Sequence, residues 1–227
     1  MDEIVKNGQV FLPYRLPINS EQKLIEISRQ HFKWSDRRRS VREFSDHPVP
    51  REVIENLIKT ASTAPSGAHK QPWLFCAVSN PEMKREIRLA AEAEERENYA
   101  SRMSESWKKD LEVFDTNWQK PFLETAPWLV IVFKKIYDLD ENQQKIQHYY
   151  VSESVGLACG FFLQAVHQAG LAALTHTPSP MNFLSKILHR PAHEKPYLLI
   201  PIGYPAQDAL VPKLKRKDPE KISVFYE

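Results

Sequence analysis

The segment from Tyr149 to Gly170 constrains the fold of this chain more than any other. It is apolar almost all round a helix and approaches the length that crosses a bilayer. Ser152, Glu153, Ser154, Gln164, His167 and Gln168 interrupt it. Polar groups at that density are costly in hydrocarbon, so the segment reads as a buried helix from about His148 to Ala169 rather than a membrane span. Gly156, Ala158, Cys159 and Gly160 cluster at its middle. Small residues there admit another backbone at close range, which suits either the core of one subunit or the interface between two.

The remaining periodicity predicts helices mixed with a few short strands. Residues 20 to 32 and 50 to 62 repeat apolar positions at helical spacing, the second opening with Pro50 and early acidic residues. Bounded apolar runs at Trp73 to Val78, Trp128 to Phe133, Leu171 to Thr175 and Tyr197 to Ile202 are strand candidates for one sheet. A length of 227 residues with 42% apolar and 26% charged side chains is that of a soluble globular protein with a single domain.

Six glycines are spread through the chain and none forms GxGxxG or GxxxxGK, so any phosphate has to be held by side chains. Two basic clusters supply candidates, Arg37 to Arg42 and Lys213 to Lys217. A net charge of +2 and the absence of an aromatic platform around them argue against a nucleic-acid partner. Cys76 and Cys159 lie in apolar runs and read as buried thiols of a reducing compartment. The N-terminus opens with acidic residues and has no continuous apolar run, so neither a signal peptide nor a membrane anchor is predicted, and the expected location is the cytoplasm. His189 and His193 have a zinc-like separation, but Pro191 breaks the helix between them and no further ligand is evident, so no metal site is expected. Hydrolase motifs are absent: there is no GxSxG.

The densely charged stretch from Glu92 to Lys120 carries the candidate ligand chemistry. In a helix, Glu95 and Tyr99 stand one turn apart on one face, and Lys120 can fold back over them. A carboxylate, a phenol and an ammonium suit the two charged ends of an amino acid. The same pattern equally suits a solvated helix face.

Four segments, RRSVREF at 38 to 44, APSGAHKQPW at 64 to 73, ACGFFLQAVHQAGLAALTHTP at 158 to 178 and PIGYP at 201 to 205, occur in the order seen in the nitroreductase flavoprotein family. The chain resembles that family from about Asp36 to its C-terminus. ENY, TNWQK, HYY, RPAHEK and VPKLKRK add a resemblance to its iodotyrosine deiodinase branch. The resemblance implies an α+β fold, with a mixed sheet flanked by helices and two chains intertwined as a homodimer holding FMN at their interface. It implies one FMN-binding domain over 1 to 227, with 1 to 35 wrapping the partner and about 92 to 122 forming a flap over the site.

Carried over residue by residue, the resemblance gives the FMN phosphate to Arg38, Arg39, Ser40, Arg42 and Arg216. It sets Pro65, Ser66, Gly67 and Ala68 against the flavin, with the Ala68 backbone near substrate. Thr175, His176 and Thr177 approach from the other side, the Thr177 hydroxyl donating to flavin N5. His176 stands where a threonine is expected, and reads as a turn histidine facing solvent or the neighbouring subunit. Glu95, Tyr99 and Lys120 become a clamp for a substrate zwitterion, while Trp118, Phe122 and Met103 are left to the core. The implied activity is FMN-dependent reductive removal of halide from a halogenated tyrosine, with NAD(P)H or a separate flavin-reducing partner as electron source. The alternative is a broad NAD(P)H-dependent nitroreductase or quinone reductase without amino-acid selectivity.

Overall fold

A computed structural model describes residues 3 to 227, and the chain divides into two compact units, Met1–Arg38 and Arg39–Glu227. In the first, strands β1 (Ile4–Lys6) and β2 (Gln9–Phe11) pair antiparallel. Asn7 and Gly8 make their turn at φ of 52° and 74°, the left-handed pair that suits the twist of a tight hairpin. Helix α1 (Glu21–Asp36) follows, with the Ser20 hydroxyl accepting from the Lys23 amide at 3.3 Å, and it buries none of its residues.

The second unit opens with α2 (Arg51–Ser62), whose Ile54, Leu57 and Ala61 face inward. Ile54 and Leu57 each stabilise the fold by about 2 kcal/mol on leaving water. Then come β3 (Trp73–Val78), α3 (Pro81–Glu97), α4 (Glu105–Glu112), α5 (Phe122–Thr125), β4 (Trp128–Lys135), β5 (Tyr137–Leu139), β6 (Lys145–Gln147), α6 (Val151–Gln168), β7 (Ala172–Ala173), α7 (Asn182–Ile187) and β8 (Glu194–Gly203). Strands β5 and β6 form a small antiparallel hairpin. The main sheet runs β3-β4-β8-β7 and all its pairs are antiparallel. The sheet expected as mixed has one parallel link, the bridge between Ser40 and Ala173.

Helices cover both faces of this sheet, and β4 explains why. Its side chains alternate, Leu129, Ile131 and Phe133 packing with Ile87, Ala91, Leu123 and Leu184 on one side. Val130 and Val132 join Ile54, Leu57, Val155, Cys159 and Phe162 on the other. A strand buried on both faces has no reason to alternate apolar with polar residues, and WLVIVF does not.

Helix α6 is buried along one side only. Ser154, Val155, Ala158, Cys159, Phe162 and Val166 face the sheet, whereas Leu157 is 48% exposed and Phe161 40% exposed. Gly160 lies between them, with nothing within 4 Å of where a Cβ would stand. Of the two readings of this helix, complete burial within one subunit is excluded. The strand expected from Leu171 to Thr175 is paired as a ladder only over Ala172–Ala173, after which the chain bonds β8 through the Leu174 amide to Pro201 and at His176 to Leu199. Among the described residues no helix is long and apolar enough to cross a membrane.

Candidate active site

Helix α3 carries Glu95, the first of the clamp candidates, into the interior because of where its apolar stripe runs. Asn80 accepts from the Met83 amide at 2.9 Å and Pro81 occupies the first turn, so the helix starts cleanly. Lys84, Ile87, Ala91 and Glu95 are its buried residues, spaced three or four apart. Glu95 therefore continues a core-facing stripe, and its carboxylate enters the interior. Past Glu97 the helix widens into a π turn over Asn98–Arg102, which holds Tyr99.

Lys120 returns to this face from the loop after α4. Its backbone amide donates to Glu92 Oε1 at 2.7 Å, and its Nζ lies 3.7 Å from Glu95 Oε2, both side chains less than a tenth exposed. The ammonium also donates to Thr116 Oγ1 at 3.3 Å and to the Asn117 carbonyl. Tyr99 donates its hydroxyl to the Thr116 carbonyl at 3.1 Å, and the ammonium sits 5.8 Å from its ring centroid. The solvated-face reading of these charges is excluded by their burial. Burial pushes the Glu95 carboxyl up, with Lys120 opposing it. Burial likewise pushes Lys120 down, opposed by Glu95 and reinforced by the Arg42 cation. At 3.7 Å the pair is held apart by more than a short hydrogen bond, and each charge retains capacity for a ligand of opposite sign.

These three residues line a cleft of about 180 Å³ together with Arg42, Met103, Phe122, Thr175, His176 and Thr177. Met103 and Phe122, assigned to the core from sequence, thus face both core and cleft. His176, expected as a turn residue facing solvent or the neighbouring subunit, is half-buried, and its ring turns in toward the cleft rather than out to solvent. Its backbone exchanges two hydrogen bonds with Leu199, its ring meets Phe122 edge-on at 5.7 Å, and its Nε2 is buried with no hydrogen-bond partner. Burial first, then Lys120 and Arg42, depress it to about 3, so the imidazole is neutral.

The basic segment reaches the same place through the sheet. Ser40 bridges Ala173 and the Val41 amide donates to the Ala173 carbonyl at 3.3 Å, laying residues 39 to 42 alongside the strand that leads to Thr175. Arg42 lines the cleft and its guanidinium lies 5.0 Å from the Phe114 ring centroid. Guanidinium and hydroxyl donors, with Arg42 making no ion pair among the described residues, are the chemistry a phosphate ester requires. The residues present therefore fit a phosphorylated cofactor such as FMN.

A family model described as "Nitroreductase family" matches residues 36 to 204. The chain belongs to the nitroreductase family. It is 55% identical over 222 residues to "Iodotyrosine deiodinase" of Haliscomenobacter hydrossis, across 98% of this chain and all of that relative. It is 45% identical over 205 residues to "Iodotyrosine deiodinase 1" of Homo sapiens, across 90% of this chain and 71% of that one. A solved structure of oxidized iodotyrosine deiodinase bound to FMN and 3-iodo-L-tyrosine superposes with a TM-score of 0.72 at 30% identity, covering 86% of this chain and 97% of the other. A nitroreductase-like protein from Streptococcus mutans shares the fold, with a TM-score of 0.65 at 20% identity over 88% of this chain.

Within this nitroreductase-family chain the expected flavin residues fall in two groups. Arg42 and Thr175 to Thr177 share the cleft with Glu95, Tyr99 and Lys120. Pro65, Ser66, Gly67 and Ala68 are not among its lining residues. They stand at the start of α6, where the Gly67 amide donates to Ser154 Oγ at 3.4 Å and a Cβ on Gly67 would come within 3.0 Å of the Tyr150 ring. Ala68 takes a left-handed φ of 45°. Arg39 donates to the Pro212 carbonyl, four residues ahead of the exposed Arg216, which does not line the cleft. Arg38 ends the first unit. Glu92, Thr116 and Asn98 were missed from sequence. Glu92 lies one turn before Glu95, the single signal available for it; Asn98 and Thr116 fall inside the ENY and TNWQK motifs, but nothing in those motifs gave either residue a role.

Proposed function

We propose that the chain is an FMN-dependent reductive dehalogenase that converts a halogenated tyrosine, iodotyrosine foremost, to tyrosine and halide. The observation that carries this reading is the buried Glu95 and Lys120 pair, with Tyr99, in the cleft that also holds Thr177. The relatives named iodotyrosine deiodinase and the solved structure with FMN and 3-iodo-L-tyrosine support it.

Glu95 accepts the substrate ammonium and Lys120, aided by the Tyr99 hydroxyl, binds the carboxylate. Residues 92 to 122 act as a flap that closes on the ligand and keeps water from the reacting carbon. Arg38, Arg39, Ser40, Arg42 and Arg216 would hold the cofactor phosphate, and the Thr177 hydroxyl would be the donor available to flavin N5. Bound FMN supplies the two electrons which, with one proton, replace the carbon–halogen bond by carbon–hydrogen and release halide. NAD(P)H or a separate reductase reloads it.

The working unit in this proposal is a homodimer in the cytoplasm. The turn at 65 to 68 lies outside the cleft of its own chain, and the uncovered stripe of α6 runs between apolar residues, so a second copy supplies the other wall. The segment 1 to 35 wraps the partner, consistent with an α1 that buries none of its own side chains.

The test is anaerobic. Protein loaded with FMN and reduced is mixed with 3-iodotyrosine, and stoichiometric iodide and tyrosine are expected as the flavin reoxidises. Flavin that stays reduced with iodotyrosine yet reoxidises rapidly with a nitroaromatic or quinone overturns the proposal in favour of a general nitroreductase.

A further inference from the structure

Asn98 is the first residue of the π turn and is buried, 5% exposed, although it contributes nothing to the cleft surface. All of its polar groups are bonded, three within its own turn of chain and one, Nδ2, across to the opposite wall of the site. Its backbone amide closes the end of α3 onto the Glu94 and Glu95 carbonyls, and its own carbonyl accepts from the Met103 amide at 2.9 Å, the bond that sets the wide turn. Its side-chain Nδ2 donates to the Ser179 carbonyl at 3.0 Å, two residues past Thr177. Its Oδ1 accepts from Arg102 at 3.4 Å, and the same Arg102 nitrogen pairs with Glu94 at 2.7 Å.

The neighbours of this side chain give it meaning. Tyr99 follows it directly and Glu95 precedes it by one turn, so any rotation of the turn moves both. Ser179 belongs to the segment that continues Thr175, His176 and Thr177, on the opposite wall. The bond from the buried Asn98 amide to the Ser179 carbonyl is part-buried and directional, and it fixes the spacing of what it joins.

Resting on the dehalogenase reading, we propose that Asn98 is a positioning residue for substrate: its amide pins the clamp-bearing turn to the Thr177 segment and sets the distance between the amino-acid clamp and the flavin-facing wall. A helix-ending role alone needs only the backbone of Asn98, whereas this role needs the Nδ2 donor.

The test compares Asn98→Asp and Asn98→Leu with the parent as FMN-loaded proteins. Asn98→Asp keeps size and the contact with Arg102 but sets an oxygen against the Ser179 carbonyl; Asn98→Leu removes both bonds. The Kd for 3-iodotyrosine, read from flavin fluorescence, is expected to rise about tenfold or more in both variants. FMN affinity and the rate of nitroaromatic reduction should stay within about twofold. Iodotyrosine binding within twofold of the parent in Asn98→Asp overturns the inference. So does a parallel loss of FMN affinity or of folding in both variants, since Asn98 is then a general structural residue. A parent that fails to bind iodotyrosine at all is a different result: it overturns the dehalogenase reading, and this inference with it.

Discussion

Glu95 and Lys120 form a buried carboxylate–ammonium pair at 3.7 Å on the wall of the cleft. If Glu95 accepts a substrate ammonium, Glu95→Gln keeps the shape and removes the charge. Halotyrosine affinity should then fall roughly 10- to 100-fold, while nitroaromatic reduction stays within about twofold. Titration of both activities in one preparation checks this; equal loss of both would refute the clamp. His176 gives a second expectation, from its pKa of about 3 when folded against 6.5 ordinarily. Above 6.5 neither state is protonated and the residue adds no slope. Below it the unfolded chain gains a proton that the folded chain refuses, so stability falls toward pH 3 by up to ~1.4 kcal/mol per pH unit. Urea unfolding of the parent and of His176→Gln at pH 6.5 and 5 should give the shallower fall in the variant, and identical slopes would count against the buried neutral imidazole. Spacing made Glu95 and Tyr99 legible as neighbours on one face. Their burial also lay within reach, because Glu95 extends the stripe of Ile87 and Ala91. The burial of His176 did not, since it depends on Phe122 and Leu199 arriving from distant segments.

At the scale of elements, the end of β8 is the tightest joint near the site. A Cβ on Gly203 would stand 2.5 Å from Cδ of Pro127, a rigid ring that cannot swing away. Gly203 also pairs with Ala172, so a shift there is passed to the strand that leads toward Thr175. Gly203→Ala is expected to destabilise the fold by about 1 to 3 kcal/mol, measured as a lower urea midpoint. An unchanged midpoint would mean that the joint has slack. Helices α2 and α6 and strand β4 were readable because one-sided or two-sided burial leaves periodic patterns. Helix α3 was not read from the sequence as a helix of its own, because the dense charge of its second half masks the apolar stripe that fixes it. The shortening of β7 was not readable. Its length is set by where the chain leaves the edge of β8, a property of two segments at once.

For the whole molecule, the exposed Leu157, Gly160 and Phe161 make one apolar stripe on α6. Burying such a stripe against its copy is the economical way to cover it. Phe161→Glu should therefore convert a dimer in light scattering to a monomer and weaken FMN binding at the same time. A parent that runs as a monomer, or a variant that stays dimeric, would refute the assembly. By itself the sequence determined that α6 must be covered, that no glycine-rich loop holds phosphate, and that charges capable of gripping an amino acid recur at helical spacing, because composition and period are local properties of the chain. Only the tertiary structure decided that Lys120 returns to Glu95, that Arg42 and Thr177 meet them, and that the turn at 65 to 68 stands apart. Those meetings join residues dozens of positions apart, and sheet register and loop return, rather than any local preference, bring them together.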